Sequence, residues 1–153
     1  MHIDKAELRT LIPHAGTMCL LDGVRRWDTE SIECVSNTHR DKDNPLRRDD
    51  RLAALHAFED CAQAAAVHGG LLARERGREA LPAYLAALRD GRLHVDYLHD
   101  VDGPLDVRAE LAMRDRGSCI YVCGMSVANQ PLAQVRITVM LRPGVHPAVS
   151  QSG

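Results

Sequence analysis

The hydrophobic pattern of this chain changes period between its two halves. In the C-terminal half, Leu105, Val107, Ala109, Leu111 and Met113 alternate with Asp106, Arg108, Glu110, Ala112 and Arg114. Later, Ala133, Val135, Ile137, Val139 and Leu141 alternate with mostly polar neighbours such as Gln134, Arg136 and Thr138. A two-residue period puts one set on each face of a sheet, so both runs read as half-buried strands. Between them Cys119–Val127 is apolar at both parities, as a central strand is. Turn signals stand at Asp102-Gly103-Pro104, Asp115–Gly117 and Asn129–Pro131. Ala83–Leu88 and Arg92–Leu98 read as a further strand pair.

The N-terminal half carries the helices. Asp4 can cap a short helix reaching about Leu11, which Pro13 stops. Strands are expected over Thr17–Trp27 and Ser31–Thr38, followed by a polar loop from His39 to Arg51. The longest helical signal runs from Arg51 to about Arg76, with Asp49 or Asp50 as its N-cap and Gly77 after its end. Leu52, Leu55, Ala62, Ala66 and Ala73 fall close to one face and are expected to turn toward the core. Ala64, Ala65, Gly69 and Gly70 keep the second half of the helix thin, which suits a helix enclosed by a curved sheet. The expected fold class is α+β: one domain over residues 1–142, a helix against a long antiparallel sheet, with 143–153 as a tail.

Composition narrows the function. A chain of 153 residues with 45% hydrophobic and 26% charged residues can bury one core and is not disordered. A formal net charge of −2 gives no basis for non-specific nucleic-acid binding. The five cysteines contain no C-x-x-C pair and sit in apolar stretches, which points to buried, reduced thiols and a cytoplasmic protein with no metal or other cofactor. With no apolar run of about 18 residues, no membrane span is expected.

Two residues stand out chemically. Glu59 lies on the stripe expected to face the core, where an ionised carboxylate must be paired, neutralised or turned to a cavity. The competing reading is a surface glutamate, one position out of phase. Gln63, one turn on, can orient it. His14 follows Pro13 and precedes Ala15-Gly16, in a loop between helix and strand. His56, three residues before Glu59, is its closest rival, and His56, Glu59 and Cys61 make a weak metal-site candidate.

The segment Ile12-Pro13-His14, a short spacer, then Met18, Leu20, Leu21, Asp22 and Val24 resembles the N-terminal motif of 3-hydroxyacyl-ACP dehydratases. Glu59, two residues, then Ala62-Gln63 and a run of small residues resembles the central-helix motif of the same family. The nearest subgroup is that of aryl-polyene and xanthomonadin-type pigment pathways. The resemblance implies a hotdog fold, in which a five- or six-stranded antiparallel sheet wraps a long central helix. It implies a dimer, homodimer or heterodimer with a related hotdog subunit, whose sites take His from one chain and Glu from the other. His14 would remove the C2 proton of the thioester and Glu59 would protonate the departing 3-hydroxyl. The amide near Leu55 would stabilise the developing enolate oxygen. Ala54 stands where these enzymes commonly carry a glycine at the substrate carbonyl. Arg47, Arg48 and Arg51, with Arg74, Arg76 and Arg78 as a second group, are the candidates for docking an acidic acyl carrier protein. A hotdog thioesterase and a non-catalytic subunit that supports an active dehydratase remain open beside dehydration.

Overall fold

The computed structural model describes residues 2–12, 18–78 and 83–141. His14 and the 143–153 tail lie outside the described residues. In chain order the elements are β1 Ile3–Asp4, α1 Lys5–Leu11, β2 Gly23–Trp27, β3 Ser31–Ser36, α2 Ala57–Glu75, β4 Ala83–Leu93, β5 Leu105–Asp115, β6 Ser118–Val127 and β7 Gln130–Leu141. The strands form one sheet in the order β1-β2-β3-β5-β6-β7-β4, with every neighbouring pair antiparallel. α2 packs on its inner face.

The sheet has seven strands, where five or six were expected. The strand pair expected at 83–98 is a single strand, β4, whose register against β7 shifts between Arg89 and Arg92. Asp90 takes a left-handed φ of +55° there, and such a bulge bends a strand without ending it. His94 N–H still bonds to Leu132 O of β7 at 2.9 Å, and beyond it the chain bonds instead to the segment before α2: Ala54 N–H to Asp96 O at 2.9 Å and Leu98 N–H to Leu52 O at 2.8 Å. β2 begins at Gly23, so the apolar run Met18–Leu21 is not strand but irregular chain with Leu20 and Leu21 fully enclosed.

α2 starts at Ala57, after a 3-10 turn at Ala54–His56, and not at Arg51. Asp49 and Asp50 are not its N-cap. They sit at φ +53° and +63° in a two-residue turn closed by Arg48 N–H to Arg51 O at 2.8 Å and Arg51 N–H to Arg48 O at 2.9 Å. Two left-handed central residues define the hairpin-type turn, and aspartate is among the few non-glycine residues that tolerate that region. The far end is as expected: Gly77 follows the helix at φ +68°, with Arg78 N–H on Ala73 O and Gly77 N–H on Arg74 O, the paired bonds of a left-handed cap.

The phase of α2 differs from the expectation. Its buried residues are Ala57, Asp60, Cys61, Ala64, Ala65, Val67, His68, Gly70, Leu71 and Leu72. Leu55, Glu59, Ala66 and Gly69 lie on the open side. Alanine and glycine on both faces give the helix little hydrophobic contrast, so its rotation is set by Val67, Leu71 and Leu72 against the sheet. His68, wholly enclosed, bridges three elements: its Nε2 lies 2.8 Å from the Asp28 carbonyl and its Nδ1 2.8 Å from the Tyr121 hydroxyl. A carbonyl only accepts, so Nε2 carries the proton and Nδ1 receives the tyrosine O–H.

Candidate active site

The N-terminal end of α2 is built for an electron-rich ligand atom. A 19-residue helix concentrates partial positive charge on its first free amides. Of the 3-10 turn that leads into it, Ala54 N–H is taken by Asp96 O and His56 N–H by Ala53 O. Leu55 N–H has no acceptor among the described residues. Leu55 also lines a cavity of about 350 Å³, together with Ala53, Ala54, Leu93, His94, Val95 and Asp96. The side chain of Leu55 is 58% exposed, so it borders the mouth of this space instead of joining the core. Ala54 is buried in the wall, its amide already bonded, which leaves Leu55 as the available donor.

Glu59 lies one turn further along the same side of α2 and is exposed in this chain. The expectation that it faces the core is therefore corrected by one position: the buried carboxylate is Asp60. Burial raises the Asp60 carboxyl well above its ordinary range, the neighbouring Glu59 and Asp22 carboxylates add to this, and its own backbone amide opposes it. The same burial, with Asp60 close by, pushes the Cys34 thiol up to about 12. Cys61 is raised chiefly by its bond to Cys123 and by burial, so these thiols are inert in the sense that governs cysteine reactivity. Cys61 faces the core while Glu59 faces out. Among the described residues no group of His, Cys, Asp or Glu is placed to hold a metal ion.

Gln63 does not turn its amide to Glu59. Its Oε1 accepts from Leu20 N–H at 2.8 Å and its Nε2 donates to the Met18 carbonyl. It thereby ties α2 to the segment that follows the Pro-His motif. Sequence reasoning missed this tie because nothing local marks two residues 43 positions apart as partners. It also missed Asp60, which follows from the true phase of α2: Ala57, Asp60 and Ala64 share one face.

The three arginines expected to dock a partner differ. Arg47 is half-buried, with Nη2 donating to the His39 carbonyl at 2.9 Å and Nη1 to Asp50 O at 3.3 Å. Arg48 and Arg51 flank the two-aspartate turn and are exposed. Arg51 lies over the Tyr97 ring, 5.6 Å from its centroid, and donates to the Tyr97 hydroxyl at 3.3 Å. In the second group, Arg74 pairs with Glu7 at 2.8 Å. No helix of the described residues is long and apolar enough to cross a membrane.

The sequence matches the family model ApeP-like, described as ApeP dehydratase, over residues 6–149. No curated protein sequence matches the chain. Among solved structures, the dehydratase heterocomplex ApeI:P from Xenorhabdus doucetiae is similar at 21% identity, with a TM-score of 0.81 over 95% of this chain and 97% of that one. A thioesterase from Haemophilus influenzae shares 15% identity at a TM-score of 0.58, covering 92% of this chain and 93% of its own. A mutant thioesterase from Pseudomonas aeruginosa shares 13% at 0.57, covering 90% and 93%. The architecture is the hotdog fold: one long helix held by an antiparallel sheet.

Proposed function

This chain belongs to the ApeP-like dehydratase family, and we propose that it removes water from 3-hydroxyacyl thioesters carried on an acyl carrier protein, giving trans-2-enoyl thioesters for polyene chains. The observation that carries this reading is the Leu55 amide, without an acceptor among the described residues, beside a cavity at the start of α2, with Glu59 on the same side one turn away.

The chemistry asks for three things. A base must take the C2 proton, and His14 is our candidate. The thioester oxygen gains negative charge as that bond breaks, and a pre-aimed amide at a helix N-terminus stabilises it without reorganisation; Leu55 N–H fits. The C3–O bond then breaks as an acid protonates the leaving hydroxyl, so that one water departs; Glu59 fits, provided its carboxyl is shielded from water.

That proviso implies a partner. In a single chain Glu59 is open to solvent, so a second hotdog subunit laid over the outer face of α2 supplies the shielding and, with it, the His of the opposite chain. The solved heterocomplex of similar fold makes a related but non-identical subunit the preferred partner. Substrate binding by Gln63 and Ala54 is not part of this proposal, because both have their polar groups bonded within the chain. Carrier docking falls to Arg48 and Arg51, beside the cavity wall, and not to Arg47, whose guanidinium is tied to two carbonyls.

Mass spectrometry of carrier-bound 3-hydroxyacyl chains tests this, with the chain alone, with its partner subunit, and with His14→Ala. Loss of one water with wild type, and less of it with the variant because the site that takes this chain's His is lost, is the expected result. Release of free acid would make the protein a thioesterase. Activity that needs the partner and is indifferent to His14→Ala would make this chain the supporting subunit.

A further inference from the structure

Leu20 is held at both its N–H and its carbonyl, which belong to successive peptide groups, by side chains of α2, of β3 and of the chain just beyond β3. Its N–H donates to Gln63 Oε1 on α2 at 2.8 Å. Its carbonyl accepts from the Ser36 hydroxyl, at the end of β3, at 2.6 Å, and from the Thr38 hydroxyl, just beyond, at 2.7 Å. Gln63 Nε2 adds a bond to the Met18 carbonyl. Two residues on, Asp22 accepts from Asn37 N–H at 2.6 Å and from Lys5 at 3.0 Å. Residues 18–22 belong to no strand, so buried side chains must satisfy their backbone. Satisfaction alone would be met by one donor per carbonyl. Here two hydroxyls converge on one carbonyl, while a single amide reads both a donor and an acceptor two residues apart, which fixes position and orientation together.

We propose that Gln63, Ser36 and Thr38 are positioning residues for the dehydration, a clamp that fixes Met18 and Leu20 in the chain that follows the Pro-His motif. The inference rests on His14 being the base, since Met18 follows it by four residues. The clamp transmits the rigidity of α2 and β3 to that segment, and placement of a base to within a fraction of an ångström governs kcat more than substrate affinity.

The test uses Gln63→Met, which fills the same volume without hydrogen bonds, and Ser36→Ala/Thr38→Val, all assayed in the complete complex. Each is expected to lower kcat by roughly 10- to 100-fold, from the cost of slight misplacement, with KM within about two-fold. Their combination should lose far less than the product of the two, because both act on the placement of one residue, Leu20. Hydrogen exchange at the Leu20 amide should quicken in Gln63→Met while thermal unfolding stays cooperative. Unchanged kcat in the folded variants, fully multiplicative losses, or unchanged Leu20 exchange would each overturn the clamp. Failure of the wild-type complex to dehydrate at all would instead overturn the functional reading, and the clamp with it.

Discussion

Adjacent carboxylates on α2 have opposite surroundings. Glu59 is exposed, so Glu59→Gln is expected to leave the unfolding midpoint of the chain unchanged while lowering dehydration at the site that holds it by about 10²- to 10⁴-fold, the usual worth of a general acid; parallel thermal melts and turnover assays check both halves. Asp60 is 7% exposed and its carboxyl is raised by burial. In the folded chain it holds its proton to higher pH than in the unfolded one, so it erodes stability as pH rises from about 4. Asp60→Asn should therefore be more stable than wild type at pH 8, with the difference closing toward pH 4 in denaturant titrations. His39 and His68 act in the opposite sense. Burial lowers both, so below about pH 6.5 the unfolded chain binds protons the folded chain refuses, and stability falls with pH. In the Asp60→Asn background denaturant titrations should still show this descent as the pH falls from 7 to 5. A flat profile from pH 7 to 5 would contradict the neutral, bridging state of His68.

At the scale of elements, the two adjacent glycines of α2 make a paired test. A Cβ on Gly69 meets nothing within 4 Å, whereas one on Gly70 meets the Leu11 carbonyl oxygen at 3.0 Å and the Leu11 side chain at 3.4 Å. Gly69→Ala should stabilise the isolated chain by about 0.8–1 kcal/mol, the helix-propensity difference. Gly70→Ala should lose that gain by forcing α1 away from α2, as chemical denaturation would show. Strand periodicity made β5 and β7 legible in the sequence, because Val107, Ala109, Val135 and Ile137 alternate with charged or amide neighbours and do face the core. The start of α1 and the C-terminal end of α2 were legible too, through Asp4 and Gly77, whose bonding is dictated by local chemistry. The rotation of α2 was not, since alanine is content on either face and only long-range packing decides. The bulge that makes β4 one strand was equally hidden: Asp90-Gly91 reads as a turn, and only pairing with β7 keeps the chain extended through it. Of the candidate site, Leu55 and Glu59 were found as residues but misplaced as to face, and the bonds of Gln63 needed the fold itself.

For the whole molecule, the open side of α2 and the inner face of β4 form one surface. Leu85 and Leu88 pair with Val139 and Ile137, which face inward, yet both are more than two-fifths exposed because α2 does not reach them. A second subunit laid against this surface would cover them together with Leu55 and Glu59. Leu85→Arg/Leu88→Arg should therefore leave the far-UV circular dichroism of the chain intact, abolish assembly in size-exclusion chromatography, and remove dehydratase activity. Retained assembly would place the partner elsewhere. Until it is covered, β4 also has a different character. It is the last strand of the sheet formed by the described residues, 11 residues long. An edge strand is a template for an extended chain, and its charges are few: Arg89, Asp90 and Arg92 crowd one end and leave Leu85–Leu88 without a gatekeeper. In an assembly of two different chains, the copy made in excess of its partner would then be the one that seeds aggregates, and matched supply of the two would be a condition of solubility as much as of activity.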